Sequence, residues 1–382
     1  MIDGPAGSTL VFGPAYLDRV IRVDGPLAGP GSGPDRSPMD LSVDGRWVRT
    51  GPKEWARLAG VILLIDPAGA SLRVRPPEGW VGRRGTVMLG RPLPGPIRSK
   101  RFRVGVAASD SLGGMGAGFA AALGGTLVSV LGGPDDPTSR AVAALLTRAG
   151  VPHEPARVAD QPADWTLLIS SGAHGDKLAV GFRGCHAAWA HPEPWRDRAC
   201  RVRVVAALPN RVVPAALGDR RAGRVRAFFP SARNMLDRAD PVADFAGQID
   251  LLSCNRGEWL DLGAGTAGLA RVPVVAVTDG PRGATVRFRA EADADVVAEL
   301  TVPAFPRAVP IVDTNRAGEA FAASLLATLV NAGWAGGPVA ADLVRRGALR
   351  GSAASALVLG RADFGFPTLA EVDRAVERGR VG

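Results

Sequence analysis

The chain has 382 residues, a formal net charge of +9, 46% hydrophobic residues and 5% aromatic residues. This length allows one large domain or two ordinary ones, and the low aromatic content predicts a core of mainly aliphatic side chains. No uncharged apolar run reaches the ~18 residues that a membrane span needs, and the first residues lack a basic region before a long apolar segment. We therefore expect a cytoplasmic protein that is not attached to a membrane.

The arginines, lysines, cysteines and histidines indicate which classes of ligand the protein could bind. Only Lys53, Lys100 and Lys177 are lysines, so arginines supply most of the positive charge. They are dispersed, and no zinc finger, RNP-like aromatic motif or basic heptad accompanies them, so the charge favours an anionic small molecule over nucleic acid. The three cysteines predict neither a disulfide framework nor a Cys-x-x-Cys metal site. The four histidines lack metal-ligand spacing and are assigned to surface or packing positions.

The first hundred residues are predicted to contain strands rather than helices. Residues 8–13, "STLVFG", favour a short buried strand that ends at a glycine. Residues 25–38 are rich in Gly and Pro, and apolar runs of strand length follow them without a strand–glycine loop–helix unit. We predict that residues 25–100 form a β-rich insertion, and that residues 1–24 and 101–382 form the main α/β domain.

Beyond residue 100, predicted strands alternate with predicted helices. Residues 113–125, "GGMGAGFAAALGG", lead from a glycine turn into a helix, residues 138–150 have helical spacing, and residues 318–376 predict further helices. The apolar strand segments are residues 101–110, 126–132, 166–171, 203–208, 224–229, 249–254, 272–280 and 309–313. This alternation predicts a parallel sheet that is covered on both faces and binds ligands beyond the carboxyl ends of its strands.

The segment "VDTNRAGEAFAASLLATLV", residues 312–330, is the strongest candidate for a reactive site. A predicted strand ends at Asp313, a turn reaches Gly318, and a helix begins at Glu319. Backbone N–H groups at a helix N-terminus carry partial positive charge and bind anions. The alternative is that Glu319 is an ordinary acidic residue of the first turn, which the same dipole favours.

Three other segments carry weaker signals. Asn255 and Glu258 follow a strand and share one face of a helical turn, where they could hold hydrated Mg²⁺ or simply cap the helix. Gly280 and Gly283 bracket a turn that would let a phosphate approach the backbone, although hairpin connectors share this composition. The glycines of residues 113–118 lack the Gly-Lys-Ser/Thr ending of a Walker A loop, and close helix packing is their alternative role.

Taken in chain order, these segments resemble the ribokinase-like (PfkB-type) carbohydrate and nucleoside kinases. The resemblance covers residues 8–24 and about 101–376, and includes "CNRGEWLDL", "VTDGPRGATV" and "VDTNRAGEAFAASLL". It implies a three-layer α/β sandwich with a mainly parallel central sheet and a small β lid. The first lid strands would lie near residues 18–24 and 101–112, with residues 25–100 enlarging the lid or building a partner contact.

The resemblance also implies a site for ATP-dependent phosphorylation of a hydroxyl on a sugar or sugar-like substrate. The catalytic residues it implies are Arg316, Ala317, Gly318 and Glu319, and the acceptor-binding residues are Asp18, Gly113 and Gly114. For ATP it implies Asn255, Glu258, Thr278, Gly280 and Gly283. For cations it implies Asn255 and Glu258 with Mg²⁺ held through water, and Asp313 and Asn315 with a monovalent cation such as K⁺. A sugar or nucleoside-like substrate and a second copy of the chain, bound through the lid, are the partners to be expected.

Three positions depart from the family pattern. Arg316 stands where the family has the first glycine of its anion hole, and Glu319 stands where it has an aspartate. Glutamate and aspartate have similar intrinsic pKa values, about 4.3 and 3.9, but the longer side chain of glutamate displaces the carboxylate. Gly118 replaces an asparagine that often binds a sugar hydroxyl. The alternative function is therefore a catalytically impaired protein that binds a sugar or nucleotide in a regulatory role.

Overall fold

The computed structural model defines the elements of a large α/β core. The residues that the structure describes are 2, 8–22, 39–43, 62–65, 71–75, 85–89, 97–99, 109–161, 163–171, 176–182, 184–189, 195, 197–219, 223–290, 293–361, 364–379 and 381. The predicted loop at 25–38 and most of the predicted strand at 101–110 lie outside the described residues. No described helix is long and apolar enough to cross a membrane.

The strands and helices have the following bounds. In chain order the strands are β1 (Thr9–Phe12), β2 (Tyr16–Arg22), β3 (Met39–Val43), β4 (Ile62–Ile65), β5 (Ser71–Arg75), β6 (Gly85–Leu89), β7 (Ile97–Ser99), β8 (Ser109–Gly113), β9 (Thr126–Gly132), β10 (His153–Val158), β11 (Trp165–Ser171), β12 (Asp176–Phe182), β13 (Val202–Ala206), β14 (Val225–Phe229), β15 (Leu251–Asn255), β16 (Val274–Thr278), β17 (Ala284–Ala290) and β18 (Asp293–Val302). The helices are α1 (Met115–Leu123), α2 (Pro137–Arg148), α3 (Cys185–Ala188), α4 (Val213–Leu217), α5 (Ala232–Leu236), α6 (Val242–Phe245), α7 (Arg256–Leu262), α8 (Ala317–Asn331), α9 (Ala341–Leu359) and α10 (Leu369–Arg378).

The central sheet has nine strands in the order β10-β9-β1-β13-β14-β15-β16-β17-β18. The first seven run parallel to one another, and the last two are antiparallel additions at the edge. Helices start from local signals that the sequence supplies: in α2, Pro137 occupies the first turn and the Asp136 carboxylate accepts the Ser139 N–H at 2.7 Å. The mainly parallel sheet predicted from the strand and helix alternation is confirmed.

Both faces of this sheet are buried, which makes the core three layers thick. Alternate residues of β1 point to opposite faces: Val11 packs among the residues of α1, α2, α8 and α9, while Leu10 and Phe12 pack among those of α3 to α7. All three side chains are 0% exposed. The predicted three-layer architecture is therefore confirmed, and the helices of residues 318–376 supply one of its outer layers.

Two smaller sheets accompany the core. One has the order β6-β12-β11-β2-β8, and the other is the antiparallel set β4-β5-β3-β7. The pairing of β2 with β8 joins the chain near Asp18 to the chain before Gly113, as expected for lid strands. All the strands of the second set fall within residues 25–100, and the assignment of that range as an insertion stays a prediction.

The strand predicted at residues 309–313 is wrong. This segment is loop, and Val309, Ile311 and Val312 are 39%, 43% and 40% exposed. The N–H groups of Val312 and Asp313 donate to the Leu359 carbonyl at the end of α9, at 2.8 and 3.3 Å, rather than to a neighbouring strand. Pro310 has no N–H to donate to a ladder, so an apolar run alone did not make a strand here.

Candidate active site

A cleft of about 750 Å³ lies where β15 and β16 end and α8 begins. Asn255 is the last residue of β15, Thr278 is the last residue of β16, residues 314–316 lead into α8, and Ala317, Gly318 and Glu319 begin that helix. The candidate site residues that line this cleft are Asn255, Glu258, Thr278, Gly280, Gly283, Asn315, Arg316, Ala317, Gly318 and Glu319. The cleft therefore brings together the segments for which nucleotide, cation and catalytic roles were predicted.

The first turn of α8 presents unpaired backbone donors to this cleft. The N–H groups of Ala317 and Gly318 precede the first intrahelical hydrogen bond, which runs from Ala320 N–H to the Arg316 carbonyl at 2.8 Å, and find no acceptor among the described residues. The space in front of Gly318 is open, since a Cβ placed there would meet nothing within 4 Å. The Ser355 hydroxyl of α9 donates to the Ala317 carbonyl at 2.7 Å and fixes the turn. This arrangement can bind an anion, with the half-buried Glu319 beside it.

Arg316 is held in place by two contacts. Its guanidinium lies 3.4 Å from the Asp313 carboxylate, and its Cζ lies 5.7 Å from the centre of the Phe364 ring. Its backbone is left-handed, with φ of 68°. The sequence left open a contact with a phosphate or a pair with Glu319; among the described residues Arg316 pairs with Asp313 rather than with Glu319, and its contact with a phosphate stays a prediction. The Arg316 Nε atom is buried and donates no hydrogen bond within the described residues.

Asn255 and Glu258 form a reciprocal cap at the start of α7. The Glu258 N–H donates to Asn255 Oδ1 at 3.0 Å, and the Asn255 N–H donates to Glu258 Oε2 at 2.8 Å. The capping role that the sequence offered as an alternative is thus present. The pKa of Glu258 is raised from 4.5 to about 7, mainly by burial and also by the negative charges of Glu319 and Asp261, against the hydrogen bonds with Asn255 that lower it. Negative charge is therefore crowded at this point of the cleft.

The turn after β16 requires its second glycine. Gly283 has φ of 91°, and a Cβ there would overlap the Val302 carbonyl oxygen. The Asp279 N–H donates to the Gly283 carbonyl at 2.7 Å and closes the turn. Two hydrogen bonds from Arg282, from Nε at 2.8 Å and from Nη2 at 2.7 Å, lower the pKa of the Asp279 carboxyl. The turn keeps Thr278 and Gly280 against the cleft.

Asp18, Gly113 and Gly114 lie together but outside the residues that line the cleft. A Cβ at position 113 would overlap the Asp18 carboxyl, so the glycine makes room for that acid. Gly114 has φ of 102° and sits directly before α1. Helix α1 links these three residues to the cleft. Its Gly118 lies beside Glu319, since a Cβ placed at Gly118 would be 3.7 Å from Cγ of Glu319.

Sequence reasoning missed contacts that support the site residues. Phe364 supports Arg316, Phe366 faces Gly118, where a Cβ would lie 3.3 Å from its Cζ, and Ser355 holds the α8 turn. The segment "FGF" at residues 364–366 carried an aromatic signal, but its distance along the chain from Arg316 hid the contact.

Solved structures with the same fold are numerous. No protein-family model and no curated protein sequence matches the chain. Ribokinase from Giardia lamblia matches with a TM-score of 0.63 and 15% identity, over 98% of this chain and 100% of that one. Nucleoside kinase from Burkholderia thailandensis in complex with inosine matches at 0.60 and 15%, over 97% of each chain. The chain has the ribokinase-like fold.

The same fold occurs in a structure of Arabidopsis thaliana ribokinase with ribose and ATP, which matches with a TM-score of 0.59 and 16% identity over 98% of this chain and 99% of that one. The fold expected from the motif order is therefore confirmed. In this ribokinase-like chain, the cleft lies at the carboxyl ends of the parallel strands, where ligands of open α/β sheets bind.

Proposed function

We propose that this protein is a kinase that transfers the γ-phosphoryl group of ATP to a hydroxyl of a sugar or nucleoside-like small molecule. The observation that carries this proposal is the cleft at the start of α8. There, Ala317 and Gly318 with unpaired N–H groups, Arg316 with an unpaired Nε, and Glu319 line the same cleft as Asn255 and Glu258. Solved neighbours of the same fold include proteins complexed with ATP and ribose, and with inosine.

In the proposed reaction, Glu319 orients the acceptor hydroxyl and takes its proton. The acceptor oxygen forms its bond to the γ-phosphorus, and the bond from that phosphorus to the β–γ bridging oxygen breaks, which leaves ADP. The N–H groups of Ala317 and Gly318 and the guanidinium of Arg316 stabilise the negative charge on the transferring group. Asp18 and the Gly113–Gly114 loop hold the acceptor.

The donor set at Asn255 and Glu258 fits a hydrated Mg²⁺. Hard oxygen donors suit this ion, and a cation would offset the negative charges of Glu319 and Asp261, which add to the effect of burial on the pKa of Glu258. When bound, Mg²⁺ would neutralise charge on the phosphates. Asp313 and Asn315 fit a monovalent cation less well than Asn255 and Glu258 fit Mg²⁺. The Asp313 carboxylate already accepts the Asn315 N–H at 2.8 Å and pairs with the Arg316 guanidinium. We assign no step to K⁺.

ADP release from Mg-ATP, measured with a panel of pentoses, hexoses and nucleosides, tests the proposal. Glu319→Gln should lower turnover by about 10²–10⁴-fold on the substrate that the wild type accepts, because the general base is lost. Glu299→Gln is the matched control, since Glu299 is 59% exposed and lies on edge strand β18. Equal activity of the two variants would contradict the role of Glu319.

A second candidate function is binding without efficient transfer. It is favoured by Arg316, which fills the turn with a bulky side chain locked against Asp313 and Phe364. A displacement of ~1 Å in the catalytic carboxylate can cost about 10²-fold in rate. Calorimetric titration with ATP and with each substrate separates the two functions, because a binding protein would show heat of binding and no ADP release.

A further inference from the structure

A buried cluster of Asp164, Cys185 and His186 lies at the base of the β11–β12 hairpin. Asp164 directly precedes β11, and Cys185 begins α3 shortly after β12 ends. All three residues are at least 95% buried, with exposures of 0%, 0% and 5%. The cluster is remote in sequence from the cleft residues, and no step of the proposed reaction uses it.

The donor atoms of the cluster are spaced as metal ligands are. His186 Nδ1 lies 3.0 Å from Asp164 Oδ2 and 3.9 Å from Cys185 Sγ. Donor atoms of a tetrahedral site with metal–ligand distances of about 2.0–2.3 Å lie roughly 3.3–3.8 Å apart. Shifts of a few tenths of an ångström would therefore seat one ion. The carbonyl oxygen of Val130, 3.4 Å from Sγ, offers a neutral fourth donor.

The charges of the cluster also suit a divalent ion. A buried carboxylate and a buried thiolate together carry two negative charges, which one divalent cation neutralises. The pairing of sulfur, imidazole nitrogen and carboxylate is typical of zinc-class ions rather than of Mg²⁺ or Ca²⁺.

We propose that Asp164, Cys185 and His186 form a closed structural site for a zinc-class divalent ion. The site would tie both ends of the β11–β12 hairpin to each other and to strand β9, since Asp164 Oδ1 already accepts the Gly184 N–H at 2.9 Å and Val130 belongs to β9. The β11–β12 hairpin pairs with β2, which carries Asp18. The ion would thus fix the hairpin next to the proposed acceptor site.

Titration of metal-stripped, full-length protein with Co²⁺ tests this site. The wild type should bind a single Co²⁺ with a thiolate-to-cobalt charge-transfer band, and Zn²⁺ should displace it. Cys185→Ser should abolish the band, and His186→Gln should weaken binding by more than about 100-fold, because even partners outside the ligand shell often change affinity by about 10–100-fold. Cys200→Ser, which removes another free cysteine, should leave the band unchanged.

A second measurement on the wild type alone covers the case in which the variants fail to fold. Zn²⁺ should raise the thermal unfolding temperature of the metal-stripped protein, because an ion that binds the folded state stabilises it by mass action. Absence of the charge-transfer band in the folded wild type, or its persistence in Cys185→Ser, would overturn the proposal. In that event the cluster would be a hydrogen-bonded clamp that binds no metal. Neither result depends on kinase activity.

Discussion

At the scale of single residues, Arg316 is the feature that sets this site apart. A non-glycine residue in the left-handed region costs about 1–2 kcal/mol, and Arg316 has φ of 68°. The ion pair with Asp313 and the contact with the ring of Phe364 offset this cost and hold the guanidinium in place. Glycine would suit this backbone better, and we propose that the arginine is kept because its side chain binds a phosphate of ATP.

Arg316→Gly should change the free energy of unfolding by less than about 1 kcal/mol, since relief of the left-handed backbone compensates for the lost contacts. ATP affinity should fall by roughly 10-fold or more, because a hydrogen bond from a charged group contributes about 1.5–3 kcal/mol. Urea denaturation and calorimetric titration measure the two effects. Ala207→Gly is the control, since Ala207 also has positive φ, 50°, but lies outside the cleft. Higher turnover in Arg316→Gly would mean that the arginine impairs the site.

Glu258 and Glu371 occupy the same third position of a capping box, with opposite shifts in pKa. Burial raises the pKa of Glu258 to about 7, so its contribution to folding is present below its unfolded pKa and is lost as the pH rises through about 7. Hydrogen bonding from Thr368 lowers the pKa of Glu371, so its contribution is present above the ordinary value of 4.5 and is lost as the pH falls through the lowered value.

Urea denaturation between pH 5 and 8 should separate these two acids. Glu258→Gln should gain stability relative to the wild type as the pH rises, because the variant avoids a buried negative charge. Glu371→Gln should show a cost that stays constant over this range. Parallel pH profiles for the two variants would show that the environment of Glu258 does not disfavour its charged form.

At the scale of elements, the loop before α1 depends on the close approach of two backbones. Gly114 has φ of 102°, and a Cβ there would overlap the Pro14 carbonyl oxygen. Gly150 also has positive φ, 65°, but a Cβ there would meet nothing within 4 Å. Substitution of Gly150 therefore tests the strain of a left-handed backbone alone, whereas substitution of Gly114 tests that strain together with steric overlap.

Gly150→Ala should lower the free energy of unfolding by about 1 kcal/mol, the usual cost of a left-handed alanine. Gly114→Ala should cost clearly more, because the chain must also move away from Pro14. Thermal or urea unfolding of both variants measures the difference. Equal costs would mean that the contact between Pro14, which follows β1, and the start of α1 adapts freely, which would weaken the case that this contact positions Asp18.

Much of the fold was predictable from the sequence because its signals are local. Apolar runs gave strands β1, β9 and β13 to β16, and the order of the motifs gave the ribokinase-like fold. The strand prediction for residues 309–313 was wrong because their apolar side chains are exposed beside α9 rather than buried in a sheet. The contact of Arg316 with Phe364, and that of Asp164 with His186, join residues that only the folded chain brings together, so no local pattern could reveal them.

At the scale of the whole molecule, the three layers place the candidate residues of separate segments along one edge of the sheet. The carboxyl ends of β15 and β16 supply Asn255 and Thr278, and the outer layer supplies α8. The β2–β8 pair carries Asp18 toward α1. Association of two copies through the lid stays a prediction, which sedimentation velocity of the full chain would test.

The central claim is that the cleft at the start of α8 is a phosphoryl-transfer site. A crystal structure of the protein with a non-hydrolysable ATP analogue and Mg²⁺ tests it most directly. We predict that the terminal phosphate accepts hydrogen bonds from the N–H groups of Ala317 and Gly318, with Mg²⁺ beside Asn255 and Glu258. An analogue bound elsewhere, with this cleft empty at saturating concentration, would contradict the claim.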